Sequence, residues 1–95
     1  MTTIVLAAGL SERMGKNKLL LPFRGEAIIA ITVKNALSFS DRVIVVVGNE
    51  QERIRKALLG ANVDFVFNKN YKEGQRTSAL EGVKAVEDDD FSILP

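Results

Sequence analysis

The chain contains no cysteine and no histidine among its 95 residues. Without cysteine there is no disulfide, no thiolate metal site and no cysteine nucleophile. Without histidine the commonest general base and metal ligand is missing. Any chemistry must rest on carboxylates, cations, hydroxyls and backbone amides. Charge of one sign is not in excess either. Thirteen basic residues against 12 acidic ones leave a net charge of +1, which gives no reason to expect a nucleic-acid or membrane partner. No hydrophobic run reaches the roughly 20 residues that a membrane-spanning helix needs. Met1-Thr2-Thr3 leads straight into an apolar strand without a signal-peptide pattern, so the chain reads as cytoplasmic. Repeats, low-complexity tracts and linkers are also lacking. A chain of 95 residues, 46% of them hydrophobic, suffices for one small globular domain and only marginally for a three-layer α/β fold.

What is present is a regular alternation of strand and helix patterns. Thr3–Ala7 is apolar and unbroken, as a strand covered on both faces should be. Ala27–Phe39 has helical spacing, with Ile29, Val33, Ala36 and Leu37 on one face. Arg42–Val47 (RVIVVV) is the strongest strand pattern, β-branched and ended by Gly48. Asn49 and Glu52 form a capping-box pattern for a helix with a stripe of Ile54, Ala57 and Leu58, and Gly60 stops it. Val63–Phe67 reads as a third strand and Asn68–Arg76 as a polar loop. Ser78 and Glu81 form a second capping-box pattern opening a helix to about Val86, and Phe91–Leu94 begins a fourth strand. This alternation with short turns predicts a three-layer α/β fold with a mostly parallel sheet, Rossmann-like β-α alternation and right-handed crossovers. Ligands on such sheets bind at the carboxyl ends of the strands. The segments Ala7–Lys18 and Asn68–Ser78 both follow strands and are therefore expected on that edge.

The segment Leu6–Leu21, LAAGLSERMGKNKLLL, carries the candidate chemistry. Small residues at the end of a strand, Ala7-Ala8-Gly9, let a ligand approach the backbone. Arg13 and Lys18 follow in a turn punctuated by Gly9 and Gly15, and two long cations can close on a polyphosphate from different directions. Lys16 is expected to point to solvent. Two better-known phosphate motifs are excluded. A Walker A loop needs four residues between its glycines, but Gly9 and Gly15 have five between them, and Asn17 stands where its hydroxyl should be. A dinucleotide fingerprint needs glycine at position 11, which is Ser11.

The pattern L-A-A-G-x-S-x-R-M-G-x-x-K-x-L-L-x-P resembles the signature of sugar-phosphate-type nucleotidyltransferases. It matches most closely the branch that holds molybdenum cofactor cytidylyltransferases and related guanylyltransferases. The matching residues are Leu6, Ala7, Ala8, Gly9, Ser11, Arg13, Met14, Gly15, Lys18, Leu19, Leu20 and Pro22. Downstream, Asn68, Gly74 and Thr77-Ser78-Ala79-Leu80 resemble the family's second segment, departing from it at Gln75 and Ala79. The resemblance implies a fold of the nucleotide-diphospho-sugar transferase type. It also implies transfer of a nucleoside monophosphate from a nucleoside triphosphate to a phosphorylated acceptor such as molybdopterin, releasing pyrophosphate. Leu6, Ala7, Ala8, Gly9 and Ser11 would lie beside the nucleotide, with Asn68, Gly74, Thr77 and Ser78 completing its site. Arg13 and Lys18 would hold the triphosphate as the catalytic cations. Ala8, where the guanylyl-transferring branch has a second glycine, tilts the reading toward CTP over GTP.

The chain stops at Ile93-Leu94-Pro95, within what resembles the family's L-P-G-D-x-P segment. The resemblance therefore implies that residues 1–95 are the amino-terminal, nucleotide-binding half of a single nucleotidyltransferase domain. Its magnesium-binding aspartate would lie beyond Pro95, and this piece alone would be inactive. Asp88-Asp89-Asp90 reads as a solvated turn before Phe91 rather than a metal cluster. Ser78 can be a helix cap, a base contact or both, and Asn68 a turn residue or a ligand contact. Lys69, Lys72 and Arg76 read as solvated loop cations that could extend the positive surround of the site. Two rival functions stand: a sugar- or polyol-phosphate nucleotidyltransferase, and a non-catalytic α/β nucleotide-binding module.

Overall fold

A computed structural model describes residues 1–8, 18–86 and 91–94. Its frame is four parallel strands: β1 (Thr2–Ala7), β4 (Arg42–Val47), β5 (Asp64–Phe67) and β6 (Phe91–Leu94), in the order β5-β4-β1-β6. Between β1 and β4 lie a short hairpin, β2 (Pro22–Phe23) with β3 (Glu26–Ala27), and helix α1 (Ile28–Phe39). Helix α2 (Gln51–Ala57) joins β4 to β5, and α3 (Gln75–Ala85) joins β5 to β6. The chain thus steps twice to one side of β1 and then crosses back to the other.

That reversal puts helices on both faces. Val5 and Ala7 of β1, with Val43, Val45 and Val47 of β4, pack against Ile29, Val33 and Ala36 of α1 and Ile54 of α2. The alternate residues Ile4, Leu6, Ala8 and Val46 pack under Ala79 of α3 and Tyr71. Every residue of β1 is buried, which is why Thr3–Ala7 reads as an unbroken apolar run rather than an alternating one. Thr3, the polar exception, hydrogen-bonds through its hydroxyl to Ser40 and, at 3.2 Å, to Ser92. The amino edge is clamped by Arg42. Its Nε donates to Asp64 Oδ2 at 2.7 Å, and its Nη1 donates to the Ala85 carbonyl at 3.1 Å, a cation at the negative end of α3.

Three expectations need correction. Asn49 does not cap α2: the helix starts at Gln51, and Glu50 precedes it in the left-handed region at φ 57°, with no side-chain cap. The Asn49 N–H instead reaches the Ala8 carbonyl at 3.4 Å. Ser78 does not cap α3, which starts at Gln75 after Gly74 at φ 107°. Ser78 is buried inside the helix. The segment Asn68–Arg76 is not all loop, since Tyr71–Glu73 forms a 3-10 turn and Gln75 and Arg76 belong to α3. The β2–β3 hairpin was not expected from the sequence. Its two-residue connection, Arg24 and Gly25, has positive φ at both positions, as a type I′ turn requires.

Helix α3 lies against the sheet at Gly82. A Cβ there would stand 2.5 Å from Ile4 Cγ2 and 3.2 Å from Val46 Cγ2, so hydrogen is the only substituent that fits. Gly82→Val is expected to destabilise the fold by about 3 kcal/mol through overpacking, read as a lower urea midpoint at unchanged slope. An unchanged midpoint would show that α3 does not rest on β1 at this point.

Candidate nucleotide-binding edge

Parallel strands bring their carboxyl ends to one side. Ala8 after β1, Gly48 after β4 and Asn68 after β5 therefore share an edge, stitched by the Asn49 N–H to the Ala8 carbonyl at 3.4 Å and the Asn68 N–H to the Val47 carbonyl at 2.8 Å. Both segments expected at the functional edge leave from it. The order of the strands reverses at β1, with β6 added on the side away from β4, which makes this a topological switch point, where open α/β sheets hold ligands.

Leu6, Ala7 and Ala8 are buried, so a ligand meets the end of their strand rather than their side chains. Gly9, Ser11, Arg13 and Lys16 lie outside the described residues, as do Asp88–Asp90. Lys18 opens a 3-10 turn, Lys18–Leu20, whose Leu19 and Leu20 pack on the core formed with α1 and α2. Only the backbone position of Lys18 is described.

The second segment is organised around Asn68. Its side chain is fully buried, and both amide hydrogens are used: Nδ2 donates to Thr77 Oγ1 at 2.8 Å and to Ser78 Oγ at 2.9 Å. Its Oδ1 accepts the Asn70 N–H at 2.9 Å. The Thr77 hydroxyl lies 2.8 Å from the Gly74 carbonyl and 3.0 Å from that of Asn70. Asn68, Thr77 and Ser78, three of the residues the resemblance picks out, thus form one network that ties the end of β5 to the first turn of α3. Gly74, exposed and left-handed, begins that turn.

Sequence reasoning missed two participants. Gly48 is buried between Ala8 and Tyr71: a Cβ on it would stand 2.6 Å from Tyr71 Cβ and 3.0 Å from Ala8 Cβ. The strand-ending position of Gly48 was visible, but its contact with Tyr71 is tertiary and leaves no local signal. Glu50 drew no reading from the sequence. It holds positive φ without being glycine, its Oε1 accepts from Arg53 at 3.0 Å, and its Oε2 is buried without a partner. Backbone strain and an orphaned buried oxygen each cost free energy and gather at functional sites.

Away from this edge, a 410 Å³ groove runs between α1 and the turn after α2, lined by Ala30, Val33, Leu37, Leu58 and Leu59 with Lys34 and Glu26 at its side. Lys34 is paired with Glu26, which leaves the groove apolar and without convergent polar groups. No group of three or more carboxylates that could hold a metal occurs among the described residues. No described helix is long and apolar enough to cross a membrane.

The fold and its edge define an open, doubly wound nucleotide-binding type of α/β sheet. The chain belongs to the MobA-like NTP transferase domain family, whose model matches residues 3–95. It is 36% identical to the molybdenum cofactor cytidylyltransferase of Escherichia coli over 88% of this chain and 44% of that protein. It is 34% identical to the 2-C-methyl-D-erythritol 4-phosphate cytidylyltransferase of Prochlorococcus marinus over 96% of this chain and 43% of that protein. A nucleotidyl transferase structure from Methanothermobacter thermautotroptrophicus superposes with a TM-score of 0.88 at 33% identity, covering 97% of this chain and 49% of that one. The chain spans less than half the length of these relatives.

The network predicts separable effects for two substitutions. Asn68→Ala removes three hydrogen bonds inside the protein and is expected to lower stability by about 3 kcal/mol, measured by urea unfolding. Gly48→Ala pushes the Tyr71 turn off Ala8 and is expected to weaken nucleoside triphosphate binding at least tenfold, about 1.4 kcal/mol, measured by calorimetric titration. Unaltered nucleotide affinity in a folded Gly48→Ala protein would place the ligand elsewhere.

Proposed function

We propose that this chain is the nucleotide-binding half of a nucleotidyltransferase that moves a nucleoside monophosphate from CTP, in preference to GTP, to a phosphorylated acceptor such as molybdopterin. The observation that carries this reading is the convergence of Ala8, Gly48 and the Asn68 network on the carboxyl edge of β1, from which the segment bearing Arg13 and Lys18 departs. The base and ribose lie across Ala7, Ala8 and Gly9, with Ser11 beside them and Gly74, Thr77 and Ser78 closing the other side. Asn68 and Ser78 act by fixing that closure, since their hydrogen bonds to each other lie inside the protein. Glu50 Oε2 offers an acceptor to a ligand hydroxyl or amine at the same edge.

In the reaction an oxygen of the acceptor's phosphate forms a bond to the α-phosphorus, the bond from that phosphorus to the bridging oxygen breaks, and pyrophosphate leaves. Such a displacement needs positioning and neutralisation of charge more than a protein base, which suits a chain without histidine. Arg13 holds two phosphate oxygens in its fork and Lys18 places a point charge on the departing pyrophosphate. Magnesium is implied by the family resemblance, and no step is assigned to it because the described carboxylates do not assemble a site.

The CTP preference is supported by Ala8 and by the names of two relatives, both cytidylyltransferases. The similarity to an enzyme named for a polyol phosphate extends over nearly the whole chain and favours such an acceptor as the second reading. Titration of the complete protein with CTP and GTP tests the choice, with CTP expected to bind at least about tenfold more tightly. Arg13→Ala is expected to cost about 2–4 kcal/mol in triphosphate binding or turnover, and Lys16→Ala almost nothing. Equal effects in pyrophosphate-release assays would show the loop to be assigned the wrong way round.

A further inference from the structure

Two described residues other than glycine hold positive φ, Arg24 and Glu50. Arg24 is accounted for by the tight turn between β2 and β3. Glu50 lies in no hairpin. It sits at φ 57° and ψ 35° immediately before α2, a conformation that glycine adopts freely and glutamate only at a cost. The two oxygens of its carboxylate are used differently. Oε1 accepts from Nη1 of the exposed Arg53 at 3.0 Å, while Oε2 is buried and takes no hydrogen bond. Among the described residues it is the one buried side-chain polar atom left in that state. Buried acceptors are almost always satisfied, so this one points to a donor that comes from outside the chain.

The surroundings of Glu50 decide which donor. The residue lies just beyond β4. Beside it, the Asn49 N–H is tied to the Ala8 carbonyl at 3.4 Å and the Gln51 N–H to the Gly48 carbonyl at 3.2 Å. These bonds hold Glu50 at the carboxyl edge, next to the end of β1. A carboxylate repels a triphosphate, so its partners on a nucleotide are hydroxyl or amine hydrogens. The strand order β5-β4-β1-β6 favours the hydroxyls. Counted along the chain, it is the 3-2-1-4 order that opens dinucleotide-binding sheets, in which an acidic residue after the second strand takes a ribose hydroxyl. Glu50 occupies that place here, after β4. Neighbouring strands lie about 4.8 Å apart, so a ribose over the end of β1 is within reach of a side chain from the end of β4.

We propose that Glu50 holds the ribose hydroxyls of the nucleotide and so selects ribonucleotides over nucleotides that lack them. The inference rests on the nucleotidyl-transfer reading and extends it to the sugar. Helix α2 packs on the α1 face of the sheet through Ile54, and α3 packs on the other face through Ala79. The nucleotide lies between, with its ribose toward Glu50 and its base toward the start of α3. The terminal torsion of a glutamate is broad and two-fold, so the free oxygen meets the diol without a change in the backbone. Arg53 keeps the other oxygen, and hydrogen bonds from the diol to an ionised carboxylate are of the stronger, charge-assisted kind.

The test uses the complete protein and three probes. These are CTP, its dideoxy analogue, which lacks both ribose hydroxyls, and UTP, which changes the base and leaves the sugar. Affinities are measured by calorimetric titration without an acceptor. Wild type is expected to bind CTP about tenfold or more tightly than the dideoxy analogue. In Glu50→Gln the single carbonyl oxygen stays with Arg53, which leaves an amide donor where an acceptor is needed. That variant is expected to hold CTP and the dideoxy analogue within about twofold of each other, with the preference for CTP over UTP as in wild type. Glu50→Gly suits the left-handed backbone and so keeps the fold, and it is expected to lose the sugar preference likewise. The inference is overturned if wild type does not distinguish the two sugars, or if either variant keeps the full preference. It is also overturned if the preference for CTP over UTP collapses instead, which would assign Glu50 to the base. Absence of CTP binding by wild type overturns the nucleotidyl-transfer reading itself.

Discussion

Strand β1 is buried on both faces along its whole length, and the remaining elements are arranged by that requirement. A strand with apolar side chains pointing both ways must be covered twice. The chain achieves this by stepping to β4 and β5 with α1 and α2 on one face, then crossing to β6 with α3 on the other. Right-handed crossovers allow no other placement once the direction reverses. At the carboxyl edge the connections after β1 and β4 leave toward α1 and α2 on one face, and the connection after β5 leaves toward α3 on the other. A ligand can lie there because the backbone is bare: Ala7, Ala8 and Gly48 supply no side chain that would block it.

The edge is held open and in register by few contacts. Asn68 uses both amide hydrogens and its oxygen to hold Thr77, Ser78 and Asn70. In a fully buried position each of those bonds matters, since an unpaired buried amide would cost about 1–3 kcal/mol. Tyr71 rests against Gly48 and Ala8, so the position of its turn is set by the absence of a side chain at Gly48. Specificity at such a site comes from what surrounds the bare backbone.

Much of this was legible in the sequence, for identifiable reasons. Arg42–Val47 was read to the residue because five consecutive β-branched positions after Arg42, bounded by Gly48, admit little else. Residues Ile29, Val33 and Ala36 were read as the buried face of α1 from their spacing, and they are buried. The helix starts were misread because Asn49/Glu52 and Ser78/Glu81 have capping-box spacing, while tertiary contacts decide both places. Asn49 is drawn to Ala8, and Ser78 is drawn beneath Asn68. The hairpin at Pro22–Ala27 was hidden because each strand has only two residues and follows an apolar run. Of the candidate site, the resemblance picked out Asn68, Thr77 and Ser78, which the structure joins in one network, while Arg13 lies outside the described residues. The resemblance could not supply Gly48 and Tyr71, whose contact joins two connections distant in sequence.

The central claim is that the nucleotide lies on the carboxyl edge between Ala8 and Gly48. Titrating the isotopically labelled complete protein with CTP while following backbone amide resonances tests it most directly. The account predicts that the largest shifts fall on Ala8, Gly48, Asn49, Tyr71 and Gly74. Shifts concentrated at Ser40, Asp41 and Ser92 on the amino edge, or at Lys34 and Leu59 beside the α1–α2 groove, would contradict it.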